Sequence, residues 1–105
     1  MNKIFGIYLV AYDIRSNKIR QKAVKALGQA GLYRIQKSVF LGATLPEQIY
    51  RLQQQFEQWI EASDNESDHY MIIPLSDRTL DRSKWIGRTQ VDWDFILGRK
   101  PVHFV

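Results

Sequence analysis

Residues 4–12 (Ile4, Phe5, Gly6, Ile7, Tyr8, Leu9, Val10, Ala11, Tyr12) form an unbroken uncharged run that ends on the carboxylate of Asp13. The run lacks polar–apolar alternation and is rich in β-branched and aromatic residues, which is the pattern of a central strand covered on both faces. It is short, is interrupted by Gly6 and Tyr8, and lacks a small-residue cleavage site, so neither a membrane span nor a signal peptide is expected. A strand of this kind needs neighbours on both edges and layers above and below. A chain of 105 residues supplies those as one domain and is too short for two. A domain this small has little core to spare, and a partner subunit would add to it.

The elements that follow have their own signatures. Ser16 or Asn17 caps a helix over residues 18–30, where Ile19, Ala23, Ala26, Leu27 and Ala30 recur at helical spacing and Gly31 provides the stop. Residues 32–36 and 38–41 read as two short strands joined by almost no turn. Thr44 and Glu47 have the spacing of a capping box, and a second helix carries the stripe Ile49, Leu52, Phe56, Trp59 and Ile60. The acidic stretch 63–68 lacks the glycine, length and distal glutamate of a calcium loop and reads as a solvated turn. Residues 69–75 give a last clear strand, with Pro74 near its end.

The order strand, helix, strand, strand, helix, strand predicts an α+β fold, a ferredoxin-like βαββαβ sandwich over residues 1–75 with both helices on one face of an antiparallel sheet. Its other face needs a cover, for which a second copy of the chain is the simplest candidate. Residues 76–105 form a C-terminal extension. Within it, residues 91–97 begin with strict alternation and residues 101–105 are β-formers, so an additional C-terminal strand pairing with a partner protomer is expected.

Charge is unevenly placed along this chain. Residues 14–46 contain no acid, yet they carry Arg15, Lys18, Arg20, Lys22, Lys25, Arg34 and Lys37. Residues 1–63 hold nine Lys and Arg against four Asp and Glu, whereas residues 64–105 hold six against seven. A positive field of this kind suits a polyanion such as DNA or RNA, gripped through its phosphates in a salt-dependent way; it also fits an ordinary solvated helix face. The absence of cysteine excludes disulfides and thiolate zinc sites and points to the cytoplasm. From the residues alone, Asp13 is either a ligand for a hard cation or a carboxylate favoured by the dipole of the following helix.

The segments Tyr12-Asp13-Ile14, residues 18–27, and Gly31-Leu32-Tyr33-Arg34-Ile35-Gln36-Lys37-Ser38-Val39-Phe40 closely resemble the CRISPR-associated Cas-two family. The resemblance covers about residues 4–75. It implies a ferredoxin-like homodimer that acts in spacer acquisition beside the Cas-one integrase. It also implies a metal-dependent endonuclease acting on RNA or DNA, or alternatively a non-catalytic DNA-binding scaffold for the integrase. The family's metal-ligating aspartate falls on Asp13 and the aromatic before it on Tyr12. Its basic positions fall on Arg20, Lys22 and Arg34, and its third-strand phenylalanine on Phe40. Arg15, Ser16 and Asn17 stand where many members have acids, and Lys22 stands where an arginine is frequent.

One carboxylate holds Mg²⁺ or Mn²⁺ poorly, so the expectation is a site made by two copies of Asp13 across a two-fold axis. Arg20, Lys22 and Arg34 would offset phosphate charge there, while Arg15, Lys18, Lys25 and Lys37 would track a nucleic-acid backbone. Tyr12 and Phe40 fit equally well as packed core residues. His69 and His103 are remote from Asp13 in sequence, and no histidine base is evident.

Overall fold

The computed structural model describes residues 4–99. Its first strand, β1 (Gly6–Asp13), is central, as the uncharged run predicts: it pairs antiparallel with β3 (Val39–Thr44) on one side and β4 (His69–Leu75) on the other. Strand β2 (Tyr33–Gln36) lies outside β3, giving the order β2-β3-β1-β4. Helices α1 (Asn17–Gln29) and α2 (Pro46–Glu61) link β1 to β2 and β3 to β4. This is the ferredoxin-like arrangement.

Both predicted helical stripes meet one sheet face. Val10, Tyr12 and Phe40 from the sheet are buried with Ala23 and Leu27 of α1 and Leu52 and Phe56 of α2, flanked by Ile19, Ala26, Ile49, Trp59 and Ile60. Each large side chain buried here contributes roughly 1.5–3 kcal/mol of transfer free energy. Ser16 caps α1 by accepting from the Ile19 amide at 3.2 Å. At the other end Gly31, at φ +92°, closes a Schellman turn. Its amide donates to the Gly28 carbonyl and that of Leu32 to the Leu27 carbonyl, at 3.0 and 3.1 Å.

Two local expectations are corrected. The start of α2 is not a capping box: Leu45 is its N-cap residue with no side-chain bond, and the Thr44 hydroxyl instead donates to the Ala30 carbonyl at 2.7 Å, tying β3 to the end of α1. The acidic stretch is more than a solvated turn. Asp68 is buried and accepts from the Ser63 hydroxyl at 2.6 Å and from the Arg15 amide at 3.1 Å, so it fastens this loop to the chain entering α1.

The extension also differs from the alternation in its sequence. Residues 76–99 hold two short helices, α3 (Asp77–Arg82) and α4 (Trp93–Ile96), and no strand. They fold back over the sheet face that the helices leave open. Trp93 and Leu97 share a cavity with Leu9, Leu41 and Leu75, Phe95 packs against Tyr33 with centroids 5.1 Å apart, and Leu97 is buried. Trp93 thus finds Trp85 (5.5 Å) rather than solvent. The expected terminal strand at 101–105, and His103 within it, lie outside the described residues. Among the described residues, no helix is long and apolar enough to cross a membrane.

Candidate active site

Alternation along β1 decides what Asp13 and its neighbour can do. Tyr12 points into the helix-covered core and Asp13 to the opposite side, where it is exposed at the strand's last position. The Tyr12 amide donates to the Ser38 carbonyl at 3.1 Å, which holds the β2–β3 turn beside the end of β1. A cleft of about 580 Å³ opens there, lined by Tyr12, Asp13, Ile14, Asn17, Arg20, Arg34, Lys37 and Ser38, among others.

The two guanidinium groups in this cleft are held by uncharged oxygens. Arg20 donates from Nη1 to the Ile14 carbonyl at 3.4 Å and from Nη2 to Asn17 Oδ1 at 3.3 Å. Arg34 donates from Nε and Nη2 to the Lys37 carbonyl at 3.0 and 2.8 Å, closing the hairpin across its own turn. The ion pairs found among the described residues belong to Arg99, with Asp81 and Asp94, none of which lines this cleft. The charge of Arg20 and Arg34 is therefore not cancelled by a carboxylate and stays available to an anion.

The structure brings Asp13, Arg20, Arg34 and Lys37 together, and leaves the other predicted residues elsewhere. Tyr12 forms part of the cleft wall but is 5% exposed, stacked with Phe40 at 6.4 Å. Phe40 is 3% exposed and belongs to the core. Of the two readings open for these aromatics, packing is the one their burial supports. Lys18, Lys22 and Lys25 stand exposed along α1, outside the cleft lining. Arg15 lines a separate depression with Trp59, Ser63, Asp64 and Asp68.

His69 was missed by sequence reasoning. It is the β4 residue directly opposite Asp13 in the register. Once the strand order is accepted, the last residue of β1 must face the first of β4, and that pairing was the available signal.

The family model for CRISPR associated protein Cas2 matches residues 6–83. The chain belongs to the Cas2 family. The CRISPR-associated endoribonuclease Cas2 of Korarchaeum cryptofilum is 35% identical over 76% of this chain and 83% of its own length. A Cas2 endoribonuclease of Archaeoglobus fulgidus is 31% identical over 94% of this chain and 99% of its own. Among solved structures, a chain of a partial Cas6-RT-Cas1–Cas2 complex superposes with a TM-score of 0.63 at 28% identity, covering 77% of this chain and 90% of that one. The match to the family reaches α3 and stops before α4, so the sheet-covering segment around Trp93 lies beyond the part the family model describes.

Proposed function

We propose that this Cas2 family member acts in CRISPR spacer acquisition as a nucleic-acid-binding homodimer with divalent-metal-dependent endonuclease activity. The observation that carries the reading is the cleft itself, in which an exposed carboxylate, Asp13, stands with two guanidinium groups that no carboxylate neutralises. The names of the relatives, which are endoribonucleases, support hydrolysis of a phosphodiester.

The donor set suits a hard cation. Asp13 is accessible, its oxygens are of the type that binds Mg²⁺ or Mn²⁺, and one or two carboxylates completed by water and substrate phosphate are sufficient for such an ion. Among the described residues no group of three or more His, Cys, Asp or Glu side chains is placed to hold a metal ion, so substrate, water or a second copy supplies part of the shell. When bound, the ion supplies Lewis-acid polarisation of a phosphate oxygen and a more acidic bound water. Arg20, Arg34 and Lys37 bind the flanking phosphates and offset the charge that builds on the reacting one. Exposed Lys18, Lys22 and Lys25 extend that grip along the backbone without reading bases. The sheet face around Asp13 keeps Met71 47% exposed, an apolar surface that a second copy would cover while bringing its own Asp13.

Incubating the untagged chain with single-stranded RNA and with duplex DNA tests this. Cleavage that needs Mg²⁺ or Mn²⁺, stops with chelator and is lost in Asp13→Ala with binding retained is the expected result. Wild-type protein inert with every metal and substrate would exclude the nuclease.

A second reading, a non-catalytic DNA-binding scaffold for the Cas1 integrase, is favoured by the Cas1-containing complex among the structural relatives. Co-elution with Cas1 and unimpaired spacer integration by Asp13→Ala would select it.

A further inference from the structure

Asp13 and His69 are direct cross-strand partners at the open ends of β1 and β4. Such partners present their side chains on one face with Cβ atoms roughly 5 Å apart, and both residues are exposed. The imidazole is anchored, because its Nδ1 lies 2.9 Å from the Ser67 carbonyl oxygen. A carbonyl oxygen only accepts, so the proton of the neutral ring resides on Nδ1 and the lone pair on Nε2. A ring tethered through Nδ1–H to a backbone carbonyl has the support that commonly stands behind a metal-ligating histidine.

We propose that His69 is a second protein ligand for the cation held at Asp13, its Nε2 joining the Asp13 carboxylate of the same protomer. The resulting oxygen–nitrogen pair favours a first-row transition-metal dication over Mg²⁺. The proposal rests on the reading of Asp13 as a metal ligand and deepens it. Magnesium gains little from imidazole, because it prefers oxygen and holds its water tightly. Imidazole nitrogen binds the later first-row dications more strongly, and the Irving–Williams order places Co²⁺ above Mn²⁺. With two donors per protomer, the coordination positions left over admit water and a substrate phosphate. His69 therefore changes which ion occupies the site without closing it.

The test uses the untagged full chain with Co²⁺ alone as probe and Mg²⁺ as reference, measured by calorimetry and by the paramagnetically shifted imidazole resonances of the cobalt-loaded protein. Wild type is expected to bind Co²⁺ more tightly than Mg²⁺, with one shifted imidazole. His69→Asn is expected to lose at least about ten-fold in Co²⁺ affinity, and that resonance, while Mg²⁺ binding is unchanged. His103→Ala controls for the chain's other histidine and is expected to behave as wild type. Wild-type Co²⁺ affinity in His69→Asn, with binding lost in Asp13→Ala, overturns the role of His69 and leaves Asp13 as ligand. Undiminished binding of both ions in Asp13→Ala overturns the metal reading of Asp13 itself.

Discussion

The Arg34 guanidinium lies 5.9 Å from the centre of the Phe40 ring while two of its nitrogens converge on the Lys37 carbonyl. The two residues are register partners across β2 and β3. Phe40, itself buried, thus gives the Arg34 guanidinium a fixed seat.

This seat predicts a specific behaviour for Arg34→Lys. An ammonium cannot make the paired bonds to one carbonyl, so the cation leaves its fixed position. Nucleic-acid affinity is expected to fall, and the slope of log affinity against log salt is expected to shrink by about 1, the amount of one lost phosphate contact. Anisotropy titrations across a salt series read both. Because Arg34 is exposed, the melting temperature should barely move. An unchanged slope would place Arg34 off the phosphate path.

Asp68 carries a different kind of prediction. In Asp68→Ala the Arg15 amide loses its acceptor, and the part-buried Ser63 hydroxyl keeps only the Asn65 carbonyl at 3.4 Å. Stranding such groups costs about 1–3 kcal/mol, which urea denaturation would show as a lowered midpoint with an unchanged slope. The chain enters α1 through Arg15, so the loss should also loosen the approach to Arg20.

What the sequence made legible follows from period and punctuation. The stripe from Ile49 to Ile60, the five apolar positions of α1 and the stop at Gly31 all describe one element each, and all lie where spacing put them. The readings that differ depend on contacts between elements. Thr44 has the spacing of a cap, but the Ala30 carbonyl, brought close only by packing, claims its hydroxyl. The alternation at 91–97 is satisfied by docking Trp93, Phe95 and Leu97 on the sheet, which a four-residue helix does as well as a strand. Asp68 reads as a loop residue and His69 as remote from Asp13 because Arg15 and Asp13, which they meet, are more than fifty positions away in sequence. The cleft was legible in its charges, since basic residues follow Asp13 with no acid among them, but which cations converge was decided by the hairpin turn.

The glycine pair 31 and 42 sets how closely α1 ends on β3. A Cβ on Gly42 would sit 3.1 Å from the Gly31 carbonyl oxygen, and Gly31 itself has a left-handed φ. Gly31→Ala is expected to cost roughly 1–2 kcal/mol through backbone strain. Gly42→Ala should also destabilise, because the two nearest groups it meets are backbone. As the two positions touch, the double variant should lose less than the two single losses combined, a coupling that chemical denaturation of all four proteins measures.

Tyr70 gives the fold a defined alkaline limit. Its ring stacks on Phe56 with centroids 4.0 Å apart, and its hydroxyl is sealed from solvent without a hydrogen-bond partner among the described residues. Burial first, then the charges of Tyr12 and Asp68, push the phenol up from 10.0 to about 12. Below pH 10 the group is neutral in the folded and unfolded chains alike, so its contribution to stability is complete. Above that, the unfolded chain ionises while the folded ring resists, and stability falls as pH rises from 10 to about 12. Tyr70→Phe removes both the stranded hydroxyl and this proton. It is expected to raise stability at neutral pH by about 1 kcal/mol and to flatten the alkaline fall. Denaturation midpoints across that window, together with a phenolate absorbance titration lacking its late step in the variant, check the assignment. A variant that fails at the same pH as wild type would move the limit to another group.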